Sequence, residues 1–238
     1  MKHLIFLAFV VFLNSCGHGT NSSENSQDQE MRTGFELVDQ GRYDEAARYF
    51  EGLYRVKQTD EALKGWASVY IAKSGLQVAS LYKAFTTLPS ETKVTAENVL
   101  VQVQAYKKSL DQIPYLKDEN RDNLKTASKL LQQRSTSTVR LLRAIVNLVL
   151  LRSTFSDGDK LLLKANLKIQ SDKDLKPVCK IEWKALRAWL KDWSFYGLEL
   201  KTDLDYALPS KKSQWASGEG FFKQVQNFST TIVRTCDP

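Results

Sequence analysis

The stretch QGRYDEAARYFEGL, residues 40–53, has a glycine at its second position, Gly41, and then runs on at helical spacing. Asp44 and Glu45 stand where first-turn helix charges stand, since acids near a helix N-terminus complement its dipole. Ala46 is small and Phe50 is bulky. Small residues let two helices approach closely, and an aromatic fills the gap between neighbouring pairs. Gly41 supplies the backbone freedom that a tight helix–helix turn needs.

The same placement returns 34 residues later: Gly41 matches Gly75, Gly34 matches Ser68, and Leu37 matches Ile71. A fixed period of this size signals stacked supersecondary units. Residues 40–53 resemble the second half of a tetratricopeptide repeat, whose Gly-x-Tyr-x-x-Ala-x-x-x-Phe/Tyr pattern is met by Gly41, Tyr43, Ala46 and Phe50. Gly34 and Leu37 fit the small and bulky positions of that family's helix A. The next unit, GWASVYIAKSGL (65–76), keeps phase, but its second helix departs, with Ser80 and Ala84 in place of Ala46 and Phe50. The resemblance covers about residues 30–88. Two such units rarely stand alone, so neighbouring helices must cap them.

Helical period continues through most of the chain from residue 31 onward. Pro89, Pro114, Pro177 and Pro209 fall between candidate helices, and strong helix formers fill the intervals. The expected segments are 30–40, 43–57, 60–74, 76–87, 91–112, 117–133, 135–155, 158–170, 178–200 and 213–234. Together they predict an all-α fold of antiparallel helix hairpins. The resemblance implies a tetratricopeptide-like right-handed stack over 31–88, continuing into a helical C-terminal region, 89–238, packed on it.

Two later stretches predict the core of that region. VRLLRAIVNLVLLRSTF, residues 139–155, is the most apolar part of the chain after residue 16, and it is too short to span a bilayer. It reads as a central helix with Asn147 hydrogen-bonded inside; insertion into a membrane is the alternative. In IEWKALRAWLKDWSFYG, residues 181–197, Trp183, Leu186, Leu190 and Trp193 share one helical face, widened by Trp189 and Tyr196. Such a stripe predicts core, and its second reading is an apolar pocket around Trp183, Trp189 and Trp193. Lys184, Arg187 and Lys191 on the other sides are suited to lipid head groups.

The N-terminus carries an address. Lys2 and His3 precede ten apolar residues, Leu4 to Leu13, a run of about 15 Å as a helix against about 30 Å of bilayer core. That is a secretory signal over residues 1–15. Leu13-Asn14-Ser15-Cys16 resembles the bacterial lipobox, with Asn14 less usual at its place. The resemblance implies cleavage before Cys16, a diacylglyceryl thioether on its sulfur and an acylated (palmitate-type) amino group. Two or three acyl chains anchor stably where one does not. GHGTNSSENSQDQE follows and reads as a flexible tether, so that residues 16–30 join the anchor to the fold. Gly17, not Asp, follows the cysteine, which leans toward the periplasmic face of the outer membrane. With Cys16 lipidated, Cys179 and Cys236 remain as a pair in an oxidising compartment. A bridge between them would contribute roughly 4 kcal/mol in the chain-entropy model; two separate free thiols are the other reading.

Net charge is +7, and the surplus lies in residues 101–200, with 19 Lys+Arg against 11 Asp+Glu. A basic middle suits an anionic neighbour or is simply a solvated surface. Histidine occurs only at His3 and His18, outside the expected fold, so a Ser-His-Asp site or a His-bearing zinc site is disfavoured. GxxxxGK[ST] and GxGxxG are both missing, so no phosphate loop is indicated. The expectation is a non-enzymatic, cofactor-free, metal-free envelope lipoprotein that scaffolds a protein or peptide partner and does not bind nucleic acid. Arg32, Glu36, Asp39, Lys64 and Tyr70, on the first helices of the repeats, are the candidate contacts. The alternative is an accessory subunit of an uptake system that holds a small molecule between helices.

Overall fold

The computed structural model describes residues 22–76, 110, 113–166, 179 and 183–236. The signal segment, Cys16, the expected helices at 76–87 and 91–112 and the repeat positions Ser80 and Ala84 lie outside the described residues. Within them every regular element is helical: α1 (Ser22–Asp39), α2 (Tyr43–Lys57), α3 (Asp60–Lys73), α4 (Asp118–Leu131), α5 (Ser137–Asn166), α6 (Trp183–Ala207) and α7 (Lys212–Cys236). A short 3-10 turn, Pro209–Lys211, joins α6 to α7. The fold is all-α. Each helix packs on the next in this order, and α1 also reaches α3. No helix among the described residues is long and apolar enough to cross a membrane.

Local chemistry sets the first turns. Gly41 and Gly75 sit at φ 72° and 75°, in the left-handed region where a side chain strains the backbone. Each follows a helix end, so the 34-residue spacing marks two equivalent turns. Between α2 and α3 the chain reverses through Gln58 (φ 51°) and Thr59, whose hydroxyl accepts from the Ala62 amide at 3.3 Å. Asp60 and Glu61 open α3 and Lys73 closes it, matching the helix dipole at both ends.

Phe50 locks these three helices. Its side chain is fully buried among Ala46 and Val69, with Met31, Leu37 and Leu53 packed around. A Cβ on Gly65 of α3 would lie 2.5 Å from the Phe50 ring, and one on Gly34 of α1 would collide with it as well. The ring therefore rests on bare backbone from both neighbours. Lys57 pairs with Glu30 and Lys73 with Asp44 (2.8 Å) around this cluster.

The larger core runs from α3 to α7. Leu63, Ala67 and Ile71 meet Leu124, Ala127 and Leu131 of α4, and the cluster continues through Val146–Leu151 and Phe155 to Trp189, Trp193 and Phe222. α3 thus shares one hydrophobic interior with the C-terminal helices, while Ala46 and Phe50 of α2 are buried in the smaller cluster. Thr136 donates to Asp60, tying the α4–α5 loop to the start of α3.

Two expectations need correction. The segment 16–30 was expected to be a flexible tether, but α1 begins at Ser22 and takes up its second half. Residues 30–38 pack on α2 and α3, and a helix nucleated there extends backward at little cost, because propagation is easier than nucleation. A break was expected between 155 and 158, but α5 is continuous from Ser137 to Asn166. Within it Gly158 is a flat spot against which the Trp189 ring packs.

Cys179 and Cys236 are joined in a disulfide across a separation of 57 residues. The bridge holds the last turn of α7 to the chain just before α6. Reduction should lower unfolding stability by about 2–4 kcal/mol, read as a fall in urea midpoint in the presence of dithiothreitol. A Cys179→Ser/Cys236→Ser variant should unfold at the reduced midpoint whether or not reductant is present.

Candidate functional site

The candidate contact residues separate into two groups. Arg32, Glu36 and Asp39 share the outer face of α1, where 3.6-residue periodicity aligns them. The Arg32 and Glu36 side chains are 81% and 60% exposed and stand 3.5 Å apart. Such a pair contributes about 0.3–0.5 kcal/mol, so its charges exchange readily for those of a partner. Lys64 and Tyr70 do not join them on one surface. Six residues turn an α-helix through about 600°, which leaves these two about 120° apart around α3. Lys64 lies 3.6 Å from Glu61, and Tyr70 is half-buried against the main core. Of the five, the α1 trio alone makes a common exposed face.

The tryptophans are packing elements. Trp193 is fully buried and Trp189 nearly so. The Phe155 ring sits edge-on to both, with centroids at 5.7 Å and 4.9 Å, and Phe222 closes on Trp193 at 5.1 Å. The Trp189 indole donates to the Thr154 carbonyl. The stripe is core, as its spacing predicts, and where the second reading put an apolar pocket the Trp189 and Trp193 rings stand in ring-on-ring contact. Trp183 is half-buried at the edge of the same core, with the Lys184 ammonium over its ring at 5.5 Å.

Sequence reasoning missed a buried polar cluster between α4, α5 and α6. The Asp203 side chain has no exposure. It accepts from Arg143 Nε and Nη2, both at 2.6 Å, and from Arg140 Nη1 at 2.9 Å. Asn147 Nδ2 approaches it at 3.4 Å, and Asn147 Oδ1 accepts from Ser128 Oγ at 2.7 Å. Arg143 also meets Glu199 at 3.1 Å, and the Arg140 guanidinium lies over the Tyr206 ring. A fork-shaped guanidinium on a carboxylate is among the strongest side-chain pairings. This carboxylate is occupied by its own helices and shut from solvent, so the cluster fastens α5 to α6 and offers nothing to a substrate. A usable signal existed: Arg140, Arg143 and Asn147 fall at i, i+3 and i+7 in the stretch 139–151, whose other residues are all apolar.

Elsewhere the electrostatics are those of a solvated helical surface. Lys73 holds the Asp44 carboxyl below its ordinary range, and Arg42 does the same for Glu45. Burial, with Asp192 adding to it, pushes the Tyr196 hydroxyl up to about 12. Among the described residues no group of three or more His, Cys, Asp or Glu side chains is placed to hold a metal ion. Neither protein-family models, nor characterised sequences, nor solved structures give a significant match to this chain.

Proposed function

We propose that this chain is a lipid-anchored, non-enzymatic helical scaffold of the bacterial cell envelope that presents the outer face of α1 to a protein or peptide segment. The observation that carries this reading is the exposed Arg32–Glu36–Asp39 face on a helix held rigid by Phe50. The resemblance of residues 30–88 to tetratricopeptide repeats supports it, since those repeats bind extended segments along their first helices. The address rests on the lipobox-like residues 13–16 and on Gly17, which favour acylation of Cys16 and the periplasmic face of the outer membrane. With α1 starting at Ser22, the link from Cys16 to the fold spans at most about 20 Å even fully extended. The scaffold would work close to its bilayer.

The test is affinity purification of the acylated protein from solubilised membranes. A stoichiometric partner should be retained, and Arg32→Glu/Glu36→Lys should weaken its binding by about tenfold, the loss of one good interface contact. Cys16→Ser should move the protein to the soluble fraction without changing partner affinity. Purification without any partner, alongside a bound lipid or metabolite in native mass spectrometry, would sink the scaffold. A Cys16→Ser protein that stays with the membrane would sink the anchor.

A further inference from the structure

The outward side of α6 takes no part in the core. Its inner side carries Leu186, Leu190, Trp193, Leu200 and Leu204 into the core. Its outer side shows Lys184, Arg187, Lys191 and then Phe195, aligned by helical periodicity, with Tyr206 further along the same line. Phe195 is 50% exposed and Tyr206 is 51% exposed, two of the few large apolar side chains so placed. Nearby acids are engaged: Glu199 by Arg143, Asp122 by Lys125 and Asp205 by Lys201. Asp192 lies at the flank of the stripe. Lys184, Arg187 and Lys191 have no acidic partner among the described residues.

We propose that this face of α6 is a lateral membrane-contact surface: Lys184, Arg187 and Lys191 meet the phosphates of anionic lipid head groups while Phe195 enters the head-group–acyl boundary. The proposal rests on the envelope address given above, which keeps the fold within reach of a bilayer. Three points favour lipid as the occupant. The cations complement an anionic surface. Phe195 lies one helical turn, about 6 Å, beyond Lys191, so one flat interface takes the charges and the ring together; basic-plus-aromatic helices lie in interfaces for that reason. A second copy of the chain would bring like charges face to face.

The test uses the whole exported chain, from residue 16 onward, carrying Cys16→Ser so that no acyl group contributes. Its partition is measured on phosphatidylcholine vesicles with and without phosphatidylglycerol. Binding should be about 100-fold tighter with the anionic lipid, from three cations at the surface, and should fall as salt is added. Lys184→Glu/Arg187→Glu/Lys191→Glu should abolish the difference, and Phe195→Ala should weaken anionic binding by about tenfold. The same charge change on and beside α4, Lys117→Glu/Lys125→Glu/Lys129→Glu, should leave most of the binding intact. Equal loss from both triple variants, equal binding to neutral vesicles, or no binding to either would overturn the proposal. Binding to polyglutamate in place of vesicles would assign the face to an acidic polypeptide and overturn it too. Mass spectrometry of the wild-type chain tests acylation of Cys16 separately, so a failed stripe and a failed anchor give different results.

Discussion

Asp203→Asn is expected to destabilise the fold by about 3–5 kcal/mol, the cost of leaving a buried charge without its counter-ion. The side chain keeps its shape, so the loss isolates charge from packing. Arg143 is nearly buried and Arg140 is 21% exposed at its side chain, and both direct guanidinium protons at this carboxylate. An amide there accepts at one atom only and turns its NH₂ toward another donor. Glu199, more exposed and 3.1 Å from Arg143, replaces little of the lost interaction. Urea unfolding followed by circular dichroism measures the effect, and a change below about 1 kcal/mol, the size of a surface pair, would show that the cluster does not carry the α5–α6 joint.

The same physics predicts a rescue. Removing the carboxylate and the guanidinium together, as Arg143→Met/Asp203→Leu, should recover much of what Asp203→Asn loses, because a buried ion pair traded for packed apolar side chains is often neutral or favourable. Arg140 keeps an escape route toward solvent and the Tyr206 ring. The cluster's contribution is then mainly specificity: Ser128, Asn147 and Asp203 align α4, α5 and α6 in one register, where leucines alone would tolerate sliding.

Local features were legible in the sequence to the extent that their causes are local. The turns at Gly41 and Gly75 follow from a backbone requirement a single residue can announce. The core role of Asn147 followed from one amide in an apolar run. The Asp203 cluster was not legible as a site, because Arg143 and Asp203 lie 60 residues apart and each alone looks like an ordinary helix charge. The break expected between 155 and 158 failed for a related reason: the polar residues there look like a connection, and the Trp189 ring that packs on Gly158 comes from another helix. The start of α1 was misplaced because polar residues 22–30 have tether-like composition, while the packing that extends the helix comes from α2 and α3. For the candidate site, periodicity along α1 grouped Arg32, Glu36 and Asp39. The same periodicity separates Lys64 from Tyr70, since six residues leave them about 120° apart around α3; what it did not give is the Glu61 partner of Lys64 and the core contact of Tyr70.

Phe50→Ala is expected to cost about 3–5 kcal/mol, the range for emptying a fully buried phenylalanine site. Its consequence should be regional. Phe50 belongs to the small cluster with Ala46 and Val69, while α3–α7 hold the larger core. Hydrogen exchange should therefore rise over α1 and α2 first, with α5 and α6 still protected. The cavity cannot close easily, because Gly34 and Gly65 present only backbone to the vacated space. Gly65→Ala attacks the same contact from the other side. Its methyl would stand 2.5 Å from the present ring position, so the ring must move, at about 1–3 kcal/mol. In the double variant Gly65→Ala/Phe50→Leu the smaller side chain leaves room for the methyl, so the two changes should cost less together than their separate losses summed. Additive losses would mean that Phe50 and Gly65 do not share one contact, and uniform exchange across all helices would mean that α1 and α2 have no separate stability. The outer face of α1 depends on this lock, so Phe50→Ala should also release the partner proposed at Arg32 and Glu36.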